Sequence, residues 1–229
     1  MNRLLRPIRT AHRGSLRLAF LGAVLASFCV GVCPADAGAA GQNESDVALE
    51  GLAAVLPRLR GGGYVIYFRH GATDDAGRSD YEADLARCDT QRNLSAQGRA
   101  QAEQIGRAVH ALGVPVGPVI SSPFCRCKET ASLAFGRFQI DSDLYFAFNV
   151  SPQERKRLAD ALRHLLATRT PAGVNAVIIA HSANLREAAG IWPKPEAVAY
   201  VFLPLGNGRF KAVAKVLPEE WQSVASAKR

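Results

Sequence analysis

The sequence has few long apolar runs. The clearest one, residues 18–32, holds 15 apolar or small residues, fewer than the roughly 20 that a transmembrane helix needs. Residues 1–17 carry five arginines and no acidic residue. After the run, Pro34-Ala35-Asp36-Ala37 gives the small-residue spacing of a cleavage site. These features predict a secretory signal peptide over residues 1–37 and a periplasmic or secreted protein, with an uncleaved membrane anchor as the alternative.

A large excess of basic residues is also lacking once that segment is removed. The whole chain has a formal net charge of +8, and the part after residue 37 keeps 23 Lys+Arg and 19 Asp+Glu, a charge of +4. No basic run in it is interleaved with aromatic side chains. This excludes the charge pattern of a nucleic-acid-binding protein. We expect no nucleic-acid partner, and no membrane association after signal cleavage.

Cysteine is scarce in the predicted mature chain, which retains only Cys88, Cys125 and Cys127. An oxidising compartment favours disulfide formation. The sequence leaves two possibilities open: a bridge from Cys88 to one of the other two cysteines, or three buried thiols.

The order of predicted elements indicates one α/β domain. Residues 38–55 read as a linker and residues 56–229 as the domain. Apolar runs at 64–68 and 174–180 predict buried strands. Three helix patterns are present. One begins after Ser95, the second begins at Pro123 with Ser122 as its cap, and the third begins near Pro152. Two terminal runs separated by Gly206-Asn207-Gly208 predict a hairpin. We expect a three-layer α/β/α sandwich with a mostly parallel sheet and an antiparallel edge strand.

Three segments place polar residues at predicted strand exits, where open α/β sheets bind ligands. The first is Phe68-Arg69-His70-Gly71, the second runs from Ser121 to Ala131, and the third is Ile179-Ala180-His181-Ser182. Each alone fits an ordinary polar loop or a helix start. Their shared position at strand exits predicts one polar site.

Together these segments resemble the histidine phosphatase (phosphoglycerate-mutase-like) superfamily. Arg69-His70-Gly71, with Thr73 two residues later, looks like the R-H-G-x-T signature. A helix start matching L-[ST]-x-x-G-x-x-Q-A begins at Leu94, and an S-S-P-x-x-R-x-x-x-T-A segment begins at Ser121. His181 supplies the second histidine of the pattern. The resemblance runs from about residue 64 to 216.

The resemblance implies a phosphatase that acts on phosphate monoesters through a phosphohistidine. His70 would be the nucleophile, and His181 would bind the phosphoryl oxygens. Arg69, Arg126 and Thr73 would bind phosphate, with the planar arginine forks each able to hold two oxygens. A nucleophilic imidazole must be neutral, and its other nitrogen should donate to a backbone carbonyl. The substrate would be a small phosphorylated molecule or a phosphate on an envelope glycan.

The sequence lacks the glutamate that many relatives supply after the third strand as a proton donor. Asp143 is our first candidate for this role, Asp141 the second, and Asp74 or Asp75 in the loop after His70 the third. Loss of a proton donor typically costs about 10²–10⁴-fold in rate. A non-catalytic phosphate- or phosphoglycan-binding module of the same fold therefore stays open as an alternative.

Motifs of other phosphate chemistries are missing. No cysteine starts a C-x₅-R loop, because positions 94, 131 and 133 are Leu, Ala and Leu. His110 and His164 lie on predicted helices without a partner four residues on, so neither starts a zinc motif. Gly61-Gly62-Gly63 precedes its strand and lacks the Lys-Ser/Thr of a phosphate loop. We expect a metal-independent enzyme without a cofactor.

Overall fold

A computed structural model describes residues 48–74, 77–81 and 83–227. The predicted signal peptide and the first part of the predicted linker lie outside this range. Within it, no helix is long and apolar enough to cross a membrane. The helices are α1 (Leu52–Gly61), α2 (Ala96–Ala111), α3 (Cys125–Phe135), α4 (Pro152–Ala167), α5 (Ser182–Ala189) and α6 (Pro218–Ser226). The strands are β1 (Val65–Arg69), β2 (Val116–Ser121), β3 (Gln139–Ile140), β4 (Asn175–Ala180), β5 (Ala199–Gly206) and β6 (Arg209–Val216).

The strands form one six-stranded sheet in the order β3-β2-β4-β1-β5-β6. β1 to β4 pair in parallel, whereas β5 pairs antiparallel with both β1 and β6. The predicted hairpin is therefore present as β5 and β6. The mostly parallel sheet with an antiparallel edge confirms the predicted fold class.

Alternation along β1 divides the core between the two faces of the sheet. Ile66 and Phe68 belong to one buried cluster, which also contains side chains from α1, α2, α3 and α6. Val65 and Tyr67 belong to a second cluster with side chains from α4 and α5. Successive strand residues point to opposite faces, so a run that is apolar throughout needs helices on both sides. The result is the three-layer sandwich.

The domain begins earlier than the sequence analysis expected. Helix α1 starts at Leu52, inside the stretch assigned to the linker, and buries its apolar residues against the sheet. Glu50 bridges to β6. The buried residues repeat at helical spacing over Leu52, Val55, Leu56 and Leu59. A linker ending at residue 55 would have exposed the first half of this stripe.

Two further differences concern helix ends. The helix predicted to start at Pro123 starts at Cys125, because Ser122 makes a contact in the site instead of acting as its cap. Helix α6 has no counterpart in the sequence prediction. It begins with Pro218 in its first turn and buries Trp221 completely.

Candidate active site

The site forms where β1 and β4 end side by side. The two strands pair in parallel, with Arg69 opposite Ala180. The next residue of each strand is a histidine, and the rings of His70 and His181 lie 5.5 Å apart between centroids. Both side chains are buried, with 2% and 1% exposure. Parallel register thus brings together two histidines that are 111 positions apart in the chain.

His70 is held in one tautomer. Its Nδ1 lies 2.9 Å from the carbonyl oxygen of Gly71, and because a carbonyl only accepts, Nδ1 carries the proton. Nε2 therefore keeps its lone pair. Burial, and secondly the positive charge of Arg126, lowers the pKa of His70 well below 6.5. The imidazole is neutral at neutral pH, as a nucleophilic nitrogen requires.

His181 is fixed in the opposite tautomer. Its Nδ1 accepts a hydrogen bond from Nη2 of Arg126 at 3.1 Å, since a guanidinium can only donate. The proton of the neutral ring lies on Nε2, which is 2.8 Å from Oγ of Ser122. Tyr67 donates its hydroxyl to the backbone carbonyl of His181 at 2.6 Å. Burial, then Arg126 and then His70, lowers the pKa of His181 well below 6.5.

Arg126 lies in the first turn of α3 and is 1% exposed. Its guanidinium packs over the ring of Phe124, 4.6 Å from the centroid. It forms a two-pronged ion pair with Asp80, with distances of 2.7 and 3.3 Å. Bidentate pairing of this kind is also how a guanidinium binds phosphate. A carboxylate of the chain itself thus occupies the fork that we expected to bind phosphate.

A second carboxylate binds the other predicted phosphate ligands. Glu196 accepts a hydrogen bond from Nη2 of Arg69 at 3.0 Å and from Oγ1 of Thr73 at 3.0 Å. Arg92, which the sequence analysis did not single out, has its Nη2 3.9 Å from the same carboxylate. Burial is the main cause that lowers the pKa of Arg69, and Glu196 opposes it. The carboxylate of Glu196 thus links Arg69 to Thr73 and Arg92.

Three arginines have an unused donor. The Nε groups of Arg69, Arg92 and Arg126 are buried without a hydrogen-bond acceptor among the described residues. A buried donor without a partner is costly, and an unbound ligand is one explanation for such a group. An open cavity of about 730 Å³ lies beside two of them and is lined by Arg69, Thr73, Arg92, Lys194, Pro195 and Glu196. Three cations and one carboxylate give this cavity a net positive charge, which favours an anionic ligand.

The aspartates predicted as proton donors have partners of their own. Asp143 forms an ion pair of 2.7 Å with Arg157 of α4, and Asp141 caps a short 3₁₀ turn by accepting from the N–H of Asp143. Both follow β3, which is separated from β1 by β2 and β4. The chain after β3 then reaches the histidines, since the ring of Phe146 lies 5.1 Å from that of His181. The role of Asp143 as proton donor stays a prediction.

The third pair of candidates lies in the loop after His70. The backbone N–H of Asp74 donates to the carbonyl of Asn93 at 3.0 Å, next to the bridge between Thr73 and Leu94. Asp75 lies outside the described residues. Asp80 and Glu196 are the carboxylates that the structure does bring to the predicted ligands. Glu196 follows Pro195, far along the chain from every motif, and no local signal marks it.

The described cysteines lie around Arg126. Cys88 and Cys125 are joined by a disulfide, whereas Cys127 is a buried free thiol. Cys127 Sγ is 3.7 Å from Nε2 of His181. Burial raises the pKa of Cys127 to about 12, so this thiol stays protonated at neutral pH. The disulfide links the segment after β1 to Cys125, the residue that precedes Arg126.

Among residues 48–74, 77–81 and 83–227, no group of three or more His, Cys, Asp and Glu side chains is arranged to hold a metal ion. The histidines and arginines of the site are held by hydrogen bonds, ion pairs and packing instead. Their arrangement joins a neutral imidazole to a cationic, partly open pocket. Such a site suits binding and transfer of an anionic group.

Comparison with known proteins agrees with this arrangement. The family model of the histidine phosphatase superfamily (branch 1) matches residues 65–145, which include His70 and Arg126. The structure is similar to that of a proposed alpha-ribazole-5'-P phosphatase from Escherichia coli, with a TM-score of 0.51 and 14% identity over 69% of this chain and 98% of that one. No curated protein sequence matches the chain.

Two further solved structures are similar at lower scores. The protein histidine phosphatase SixA, complexed with tungstate, has a TM-score of 0.47 and 17% identity over 68% of this chain and 97% of its own. A phosphoserine phosphatase mutant from Entamoeba histolytica, in complex with phosphoserine, has a TM-score of 0.47 and 11% identity over 69% and 98%.

The fold and the paired histidines define an α/β protein with an anion pocket at the strand ends. The family model of the histidine phosphatase superfamily matches the part of this fold that carries His70 and Arg126. This match supports a phosphohydrolase function.

Proposed function

We propose that this chain is an exported phosphatase that hydrolyses phosphate monoesters through a phosphohistidine on His70. The observation that carries the proposal is the tautomer of His70. Its Nδ1 proton is bound by the carbonyl of Gly71, which leaves a neutral Nε2 lone pair for attack on phosphorus. The neighbouring Arg69 and Arg126 would hold the phosphoryl oxygens, and their charge does not depend on pH.

The proposed reaction has two steps and needs no metal. Nε2 of His70 attacks phosphorus, and the bond from phosphorus to the leaving oxygen breaks. Water then attacks the phosphohistidine and releases phosphate, which restores the imidazole. Charge that develops on the equatorial oxygens in each transition state would be stabilised by the arginines. His181 would contribute through its hydrogen bond to Arg126 and its Nε2–H.

The first experiment is phosphate release from p-nitrophenyl phosphate by the mature chain and by His70→Ala. We expect turnover by the wild type and none by the variant, because the variant has no nucleophile. His110→Ala, which removes an exposed histidine of α2, is the matched control and should retain full activity. Intact-mass analysis after an alkaline quench should detect a phosphoryl adduct on the wild type alone. An adduct on His70→Ala would exclude this mechanism.

A non-catalytic binding module of the same fold is the second candidate. The observation that favours it is the ion pair of Asp143 with Arg157, which engages the carboxylate of the predicted proton donor. Measurable binding of phosphate esters by the wild type, with no release of phosphate from any ester, would select this alternative. Turnover that depends on His70 would reject it.

We also propose that the mature protein works in the periplasm or outside the cell. The disulfide between Cys88 and Cys125 supports this location, because such bridges persist in oxidising compartments. N-terminal sequencing of protein from cell fractions is the test. A chain that begins after residue 37 in the periplasm or medium is expected, whereas an intact Met1 in the cytoplasm would contradict export.

The substrate we propose is a small phosphorylated molecule or a phosphate group on an envelope glycan. The open cavity of about 730 Å³ beside Arg69 and Arg92 has room for a small leaving group and suits an anion. A panel of sugar phosphates, other small phosphate esters and phosphorylated glycan would separate the two classes by kcat/KM.

A further inference from the structure

Glu196 occupies an unusual position in the site. Its carboxylate accepts hydrogen bonds from Nη2 of Arg69 at 3.0 Å, from the N–H of Thr73 at 3.2 Å and from Oγ1 of Thr73 at 3.0 Å. Its side chain is 23% exposed, so it keeps access to the open cavity. Among the described residues, it is the one carboxylate that lines this cavity.

The backbone fixes Glu196 relative to the nucleophile. The next residue, Ala197, has a φ of 62°, a left-handed conformation that costs free energy for a residue with a Cβ. Its N–H donates to the carbonyl oxygen of His70 at 2.9 Å, and the N–H of Arg69 donates to Val198 at 3.1 Å. Backbone strain of this kind concentrates at functional sites. The carboxylate is therefore held on a backbone segment tied directly to His70.

The proposed reaction needs a proton donor that the histidines do not supply. Nε2 of His70 has no proton, and the Nε2 proton of His181 is directed to Ser122. Asp80 is bound by both prongs of Arg126. Glu196, by contrast, lines the open cavity beside Arg69 and Arg92.

We propose that Glu196 protonates the leaving oxygen and then activates the attacking water; this inference rests on the phosphatase function proposed above. A bound phosphate dianion would compete with Glu196 for Arg69. As His70 attacks, the breaking P–O bond leaves its electron pair on the leaving oxygen, which takes the proton of Glu196. In the second step the carboxylate takes a proton from water as the water oxygen attacks phosphorus. The electrons of the P–N bond return to His70.

The test is the dependence of Glu196→Gln on the leaving group. Glutamine keeps the size and an acceptor oxygen for Arg69 and Thr73 but cannot transfer a proton. We expect kcat/KM for glycerol 2-phosphate, a poor leaving group, to fall about 10²–10⁴-fold. For p-nitrophenyl phosphate, whose leaving group needs no proton, kcat/KM should change only a few-fold, which also shows that the variant is folded.

Glu187→Gln is the matched control, because Glu187 lies on α5 and pairs with Arg186 rather than with the pocket. It should leave both substrates unaffected. Glu196→Asp, which keeps a carboxyl on a shorter side chain, should retain more activity on glycerol 2-phosphate than Glu196→Gln. If kcat/KM of Glu196→Gln and Glu196→Asp falls as much for p-nitrophenyl phosphate as for glycerol 2-phosphate, the inference is overturned and the phosphatase function stands. If the wild type hydrolyses neither substrate, the proposed function itself fails.

Discussion

At the scale of single residues, the site depends on two imidazoles that are buried without charge. His70 donates to a carbonyl, and His181 accepts from a guanidinium. Burial, and secondly the positive charge of Arg126, lowers the pKa of both rings and keeps them neutral. The unfolded chain has no such preference, and its histidines bind protons near pH 6.5.

This difference predicts that acid destabilises the protein. The folded-state pKa values of His70 and His181 are both depressed, so the stability they contribute is present above about pH 6.5 and is lost as pH falls below it. Each imidazole should lower the free energy of unfolding by up to about 1.4 kcal/mol per pH unit in this range. Denaturant unfolding between about pH 7.5 and 5.5 measures the slope.

Exposed histidines provide the control for this slope. His110→Ala and His164→Ala remove side chains at the surface of α2 and α4 and should leave the pH dependence unchanged. A wild-type free energy of unfolding that stays constant over the range would contradict neutral burial of His70 and His181.

Arg126 should be irreplaceable by lysine. Arg126→Lys keeps the charge but loses the two-pronged fork and the hydrogen bond to Nδ1 of His181. A lost charge-assisted hydrogen bond is worth about 1.5–3 kcal/mol, or roughly 10- to 100-fold in affinity. We expect the inhibition constant of inorganic phosphate to rise by at least this factor and kcat/KM to fall. Arg107→Lys, at an exposed arginine of α2, should change neither, and an unaltered inhibition constant in Arg126→Lys would remove Arg126 from the pocket.

At the scale of elements, the loop after β1 is fixed by the start of α2. Ser95 caps this helix through Gly98, and a Cβ on Gly98 would overlap the backbone oxygen of Ala72. Gly71 in turn has no room for a Cβ, which would lie 2.7 Å from the carbonyl oxygen of Gly98. The glycines allow two backbones to approach next to His70.

We expect Gly98→Ala to move this loop and lower activity. Overpacking at a buried contact typically costs about 1–3 kcal/mol, and the displaced Ala72 is two residues from His70. The midpoint temperature of thermal unfolding and kcat/KM for p-nitrophenyl phosphate should both decrease. Gly61→Ala, in the last turn of α1 where a Cβ meets nothing within 4 Å, should leave activity intact. Full activity in Gly98→Ala would show that the contact does not position the nucleophile.

At the scale of the molecule, the disulfide closes a segment with a sequence separation of 37, which contains Arg92 and helix α2. Cross-linking a segment of this length stabilises a fold by about 2–4 kcal/mol. The double variant Cys88→Ser/Cys125→Ser should lose this free energy of unfolding and part of its activity, since Cys125 directly precedes Arg126. Cys127 offers a thiol count as an independent check. The denatured mature chain should show one free thiol before reduction and three after it, and three before reduction would exclude the bridge.

Local sequence was sufficient for the elements that carry their own signals. Helix α4 runs over Pro152–Ala167 as predicted, because Ser151 caps it and its leucines repeat at helical spacing. The start of α3 was predicted two residues too early. The same chemistry that makes Ser122 a good cap lets it bind His181, and only the neighbouring strand decides between these partners.

The sequence by itself determined the fold class and the positions of His70 and His181, because residues that follow parallel strands meet at one edge of the sheet whatever the loops do. Tertiary structure alone decided which partners these groups have. It bound Asp80 to Arg126, brought Glu196 and Arg92 to Arg69, and chose Cys125 over Cys127 for the disulfide. It also paired Asp143 with Arg157. These pairings join residues from distant segments, and their distances follow from strand order and loop path, which no local pattern contains.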